Sequence, residues 1–210
     1  MMLIVNKRTI MRIFIISFSI SFSILIGENL LPPKDSTDWE TLQDGKIWIG
    51  WTHHGEFDWC RAKSTIAAPF GVLQNIIEEK ENYSQVFKRI EKIEIITEDI
   101  VYIALDMPFP FAGRDYIVKY IKDQDENDFV YRYYAVMHPA APMNKKYVRL
   151  VNSIGEWRIT HLESNKTEIT YTWNGELLGD FPDWALSRAW KQQGLEVITW
   201  IQEAVNKNDN

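Results

Sequence analysis

The sequence predicts an α+β domain, a curved antiparallel β-sheet wrapped around a long C-terminal helix. Three observations predict it. Strand-like segments follow one another from residue 91 to residue 173, joined by short polar turns, and short connections of this kind require antiparallel pairing. Trp184, Leu186, Ala189, Trp190, Val197, Ile198, Ile201 and Val205 then form an apolar stripe with helical spacing. The chain has 210 residues and is 46% hydrophobic, which suits one domain with a substantial core.

The elements follow in order. Ser36, Thr37 or Asp38 can cap a short helix running through Leu42. Asp44-Gly45 marks a turn, and residues 46–52 alternate around Ile47, Ile49 and Trp51 as a strand. Residues 57–66 form its hairpin partner across His53-His54-Gly55-Glu56. Pro69 suits a helix start, and Val72, Leu73, Ile76 and Ile77 give residues 67–79 one apolar helical face. Strands are expected over residues 91–97, 100–106, 115–122, 129–136, 145–152, 156–163 and 167–173. Pro182 opens the last helix, which Gly194 is placed to kink, and the tail from Asn206 should fray.

The most informative stretch is Met107-Pro108-Phe109-Pro110-Phe111-Ala112-Gly113-Arg114-Asp115-Tyr116. Its prolines cannot lie in a central strand. It is therefore an apolar turn that delivers an Arg–Asp pair to the start of a strand. Turns are normally polar, so this one must be covered by protein or by something the protein binds. Along the strand the faces alternate. Arg114, Tyr116, Val118 and Tyr120 share one face, and Asp115, Ile117, Lys119 and Ile121 the other. Adjacent Arg114 and Asp115 thus point to opposite sides and do not pair with each other. Tyr131 and Tyr133 share a face on the next strand, as do Tyr171 and Trp173 near the end of the sheet. Apolar walls carrying a few hydrogen-bonding groups suit an amphipathic ligand, although the same aromatics could fill a solid core.

Six stretches, in order, resemble the START domain, the steroidogenic-acute-regulatory-related lipid-transfer family. They are Ile66-Ala67-Ala68-Pro69, Val101-Tyr102, Pro108-Phe109-Pro110-Phe111 with Arg114-Asp115-Tyr116, His138-Pro139 with Pro142, Tyr147-Val148-Arg149, and Gly179-Asp180-Phe181-Pro182-Asp183-Trp184. The resemblance spans roughly residues 40–205 and implies a helix-grip fold. It also implies a lipid-sized hydrophobic tunnel roofed by the C-terminal helix and flexible loops. The lipid-binding residues it suggests are Arg114, Tyr116, Tyr120, Tyr131, Tyr133, Trp173 and Trp190. Sterol-handling members of the family carry a second arginine six residues after the motif arginine, paired with an acid. Tyr120 stands in that place here, so the resemblance does not extend to a sterol held in that manner.

The reading is therefore a carrier of a lipid or other hydrophobic molecule, making transient membrane contact, with no catalytic residue and no cofactor. The alternative is an enzyme on the same scaffold, such as a polyketide cyclase or aromatase, built around Arg114, Tyr116 and Tyr120. Arginine is a poor general base because it stays protonated. No Cys-x-x-Cys or His-x-x-x-His spacing accompanies His53, His54, Cys60, His138 and His161, so no metal site is expected.

The N-terminus differs from the rest. Lys7, Arg8 and Arg12 precede an uncharged apolar run over residues 13–26, the pattern of a secretory signal. The expected organisation is a signal peptide or N-terminal anchor over residues 1–27 and a linker over 28–39. The START-like domain then covers 40–206, with a disordered tail over 207–210. The protein is expected to be exported, periplasmic or secreted, or membrane-anchored if the signal is retained. Removing three cations changes the formal net charge from −6 to −9, which argues against nucleic acid as a partner. Cys60 is the only cysteine, so no intramolecular disulfide forms.

Overall fold

The computed structural model describes residues 30–124, 127–179 and 181–208. The expected signal segment over 1–27 lies outside the described residues, as do Asp180 of the final loop motif and residues 209–210. The chain divides after residue 35, and every element named here lies beyond that point.

The strands are β1 (Glu40–Gln43), β2 (Ile47–His54), β3 (Phe57–Ile66), β4 (Ile90–Ile95), β5 (Ile100–Leu105), β6 (Gly113–Gln124), β7 (Asp128–Ala135), β8 (Tyr147–Arg149), β9 (Ile154–Glu163) and β10 (Lys166–Asn174). The helices are α1 (Phe70–Glu78), α2 (Tyr83–Val86) and α3 (Leu186–Asn208). The sheet order is β1-β2-β3-β10-β9-β7-β6-β5-β4, with β8 paired to β6. The chain leaves the middle of the sheet after β3 and crosses to the far edge through α1 and α2. It then returns strand by strand until β10 pairs with β3. Gly55 turns the β2–β3 hairpin at φ 64°, a conformation that costs glycine nothing.

One face of the sheet grips α3. Tyr120, Tyr133, Gly155, Trp173, Cys60 and Trp51 form a single row of paired residues across β6, β7, β9, β10, β3 and β2. The next row runs Tyr131, Trp157, Tyr171, Ala62 and Ile49. Trp190, Ile198, Ile201 and Val205 of α3 are buried against this face, as the apolar stripe predicts. Trp190 packs on Trp51, the rings tilted with centroids 5.6 Å apart, and donates its indole N–H to the Gly175 carbonyl at 2.7 Å. A Cβ at Gly155 would meet the Tyr133 hydroxyl at 2.4 Å, so only glycine lets that tyrosine lie across β9.

Several elements differ from the sequence-based expectation. The segment through Leu42 is strand β1, not a capped helix. Its ladder to β2 pairs Glu40 with Trp51 and Thr41 with Gly50, and a helix this short has little stability of its own. The strand expected over 145–152 shrinks to Tyr147–Arg149 and runs parallel to β6. The long connection over 136–146 permits this, and a buried ion pair holds it. Gly194 does not interrupt α3. A Cβ there would lie 3.1 Å from Ile49 Cδ1 and 3.2 Å from Ala62 Cβ, so the glycine lets the helix approach the sheet closely. Helix α3 extends to Asn208, through the first two residues of the expected tail. Helix α2 and the 3₁₀ turn Lys80–Asn82 carry no clear periodic signal and were not expected.

Candidate functional site

Between the concave face of the sheet and α3 lies a cavity of about 660 Å³. One end of its wall is the loop over 106–112, the loop over 175–182 and the start of α3. These come together because β5 and β10 end, and β6 begins, at the same edge of an antiparallel sheet. The opposite wall is aromatic and belongs to the sheet.

Arg114 organises the mouth. Its side chain is 1% exposed and begins the inward face of β6. It donates from Nε to the Leu177 carbonyl at 2.8 Å and from Nη2 to the Leu178 carbonyl at 2.9 Å. A third donation, from Nη1, goes to the Ala112 carbonyl. One guanidinium thus ties the β5–β6 loop to the segment before α3. Leu178 sits at φ 49°, a left-handed conformation that branched and bulky residues avoid. The hydrogen bond from Arg114 helps hold it there. Phe111 packs on Phe181 at 4.6 Å between centroids, closing the same junction with apolar contact.

Asp115 points the other way, as the alternation predicts. Arg149 of β8 grips its carboxylate with two hydrogen bonds of 2.7 and 2.8 Å, and both side chains are buried. Arg149 also reaches the Ala141 and Pro142 carbonyls. The conspicuous Arg-Asp dipeptide therefore serves two faces: Arg114 fastens the mouth, and Asp115 fastens β8 and the 136–146 loop to the convex side.

Of the residues singled out in the sequence, Arg114, Tyr116, Tyr120, Tyr133 and Trp173 line the cavity. Tyr131 and Trp190 do not. Tyr131 lies behind Tyr120, stacked at 4.6 Å, and accepts a hydrogen bond from Lys80 at 2.8 Å. Trp190 is turned into the α3–sheet contact with Trp51. A sequence shows which face of an element a residue takes, but not which part of that face a helix covers.

Phe87 and Trp157 also line the wall, although neither was singled out in the sequence. Phe87, Trp157, Tyr171 and Trp173 form a ladder, with successive centroids 5.9, 4.0 and 4.6 Å apart. Trp157 could have been found, since it alternates with Gly155 and Ile159 on a predicted strand. Phe87 could not, because it lies between elements. A charged pair also lines the cavity, though not where sterol-type members carry theirs. Arg89, before β4, donates to Glu196 of α3 at 2.5 and 2.7 Å. Burial alone would raise the Glu196 carboxyl, but hydrogen bonds from Arg89 and Gln192 outweigh it and hold the group below the usual carboxylate range. The partners stand 107 residues apart, beyond the reach of any local pattern.

The hydroxyls of Tyr83, Tyr116, Tyr120, Tyr133 and Tyr171 are held neutral because burial pushes their ionisation upward, with neighbouring tyrosines adding to the effect at most of them. The folded values exceed the unfolded value of about 10. Their contribution to stability is therefore whole below pH ~10 and is lost as pH rises above it. An absorbance titration at 295 nm should show these tyrosines ionising together with loss of the fold, in one cooperative step. Smooth, independent ionisation of all nine tyrosines with the circular dichroism intact would contradict this. Cys60 is likewise buried, and desolvation pushes its thiol up, so it is not an activated nucleophile.

A curved sheet gripping one helix around a largely apolar cavity defines a helix-grip protein. The START domain family profile matches residues 58–209, and the chain belongs to that family. Among solved structures, human StAR-related lipid transfer protein 5 superposes with a TM-score of 0.75 at 14% identity, covering 93% of this chain and 97% of that one. A STAR-related lipid transfer protein from Xanthomonas axonopodis superposes at 0.69 with 15% identity, covering 80% and 99%. An uncharacterized protein of Pseudomonas aeruginosa is 20% identical over 177 residues, covering 81% of this chain and 88% of its own length.

Proposed function

We propose that this protein carries one hydrophobic or amphipathic molecule in the cavity and exchanges it at a membrane. The observation that carries the reading is the cavity itself, about 660 Å³ and walled mainly by aromatic and aliphatic side chains. Pockets of roughly 300–1,000 Å³ enclose most of a drug-sized ligand. Water penalises an exposed hydrocarbon by about 0.8 kcal/mol per CH₂, and enclosure removes that penalty during transit. The likeness to proteins described as lipid transfer proteins supports the same reading.

The arrangement favours a carrier over a catalyst. Arg114 is spent on backbone carbonyls, Glu196 is held by Arg89, and the wall tyrosines are held neutral. None of these is poised as a general base.

The rim supports exchange at a membrane. Phe109 is 97% exposed and Trp184 is 84% exposed, and both belong to the cavity mouth. Val151 and Leu178 are exposed on loops at the same end of the sheet. Exposed apolar groups collected on one edge mark an interaction surface, and Trp and Phe suit a bilayer interface. The 107–113 loop and the start of α3 form the lid that must part there. Replacing Phe109 and Trp184 together by serine should slow transfer of a fluorescent lipid between phosphatidylcholine vesicles about tenfold or more. Equilibrium binding of the same lipid should change little. Unchanged transfer by a folded double variant would remove the membrane-docking step. We further propose, from the signal-like pattern over residues 1–27 alone, that the carrier acts outside the cytoplasm, and fractionation of the expressing cells tests this.

A further inference from the structure

This inference rests on the carrier reading and concerns the polarity of the ligand. Among the described residues, the cavity wall offers a hydroxyl proton without a partner and no uncommitted interior charge. Tyr133 and Tyr171 join hydroxyl to hydroxyl at 2.7 Å. Such a pair uses only one of its two protons, so one O–H remains to be satisfied. Trp157 and Tyr171 turn their faces to ladder neighbours, which leaves ring edges toward the cavity. Ring edges are the positive part of the aromatic quadrupole. Each of these features favours an oxygen that accepts.

The charges that line the cavity are committed elsewhere. Arg114 is bound to three carbonyls, and Arg89 and Glu196 are bound to each other. Arg188 and Glu176 also line the cavity, Arg188 exposed at its rim and Glu176 half-buried and accepting a hydrogen bond from Asn152. A carboxylate or phosphate drawn to the aromatic wall would therefore lose its hydration without gaining a cation, which is costly. An ester, ketone or ether oxygen loses much less and can accept from the spare hydroxyl proton.

We propose that the cavity selects an uncharged ligand whose inward polar group is a hydrogen-bond acceptor, a carbonyl or ether oxygen directed at the Tyr133–Tyr171 pair.

The probes are cis-parinaric acid and its methyl ester, which share one fluorescent chain and differ in the head group. At pH 7.5 the full-length protein should bind the methyl ester about tenfold more tightly than the acid. Tyr133→Phe keeps the ring and removes the hydroxyl, and should weaken the ester about three- to tenfold, the worth of one hydrogen bond of about 0.5–1.5 kcal/mol. Tyr171→Phe should weaken it similarly, which guards against a folding defect peculiar to one variant. Acid bound as tightly as ester, or ester binding unchanged in both folded variants, would overturn the proposal while leaving the carrier reading in place. Failure of both probes to bind would overturn the two together.

Discussion

Replacing Arg149 by alanine is expected to destabilise the domain by about 3–5 kcal/mol, the cost of leaving a buried carboxylate without its partner. Asp115 and Arg149 are both buried, and two hydrogen bonds join them. The substitution strands Asp115 on the convex face of β6 and frees the Ala141 and Pro142 carbonyls that Arg149 also holds. Strand β8 is three residues long and has little else to fix it, so β8 and the 136–146 loop should lose order first. Urea denaturation followed by tryptophan fluorescence measures the loss. The double variant Arg149→Met with Asp115→Leu, which removes both charges, should recover much of it. A single variant as stable as the parent would show that the pair is not the clamp described above.

Filling the cavity should have the largest effect on function. Ala189 lies on the cavity side of α3, and Ala189→Trp places an indole where the ligand would sit. Displacing three CH₂ groups of ligand from the enclosed space loses about 2.4 kcal/mol, close to sixtyfold in affinity. The fold should survive, because the added ring enters empty space rather than packed core. Binding of a fluorescent lipid, measured beside a melting curve, separates the two effects. Full binding by a folded Ala189→Trp variant would place the ligand elsewhere.

Much of this architecture was legible in the sequence because it depends on period. Alternation along 114–121 placed Arg114 and Asp115 on opposite faces, and the structure gives them the separate partners this required. The stripe from Trp184 to Val205 gave the gripped helix. Legibility ended where distant segments meet. Helix α3 covers Trp190 but leaves Ala189 on the cavity, a difference of one residue that no period specifies. Tyr131 and Tyr133 share a face, yet only Tyr133 reaches the cavity, because Gly155 opposite it leaves room. The Arg89–Glu196 bond and the place of Phe87 in the ladder depend on tertiary contact alone. Propensity also misled at 40–43, where pairing with β2 overrode a weak helix cap.

The apolar turn from Met107 to Gly113 began as an anomaly and becomes one lip of the cavity, fastened by Arg114 to the segment before α3. Whether that cavity holds a ligand is the question on which the functional reading stands. Native mass spectrometry of the protein purified from its own host, without detergent, answers it most directly. The expected spectrum shows a one-to-one complex with a small hydrophobic molecule, released on gentle activation and recovered in organic extract. A folded protein whose only species is the bare chain, and which takes up no lipid from phosphatidylcholine vesicles, would contradict the account.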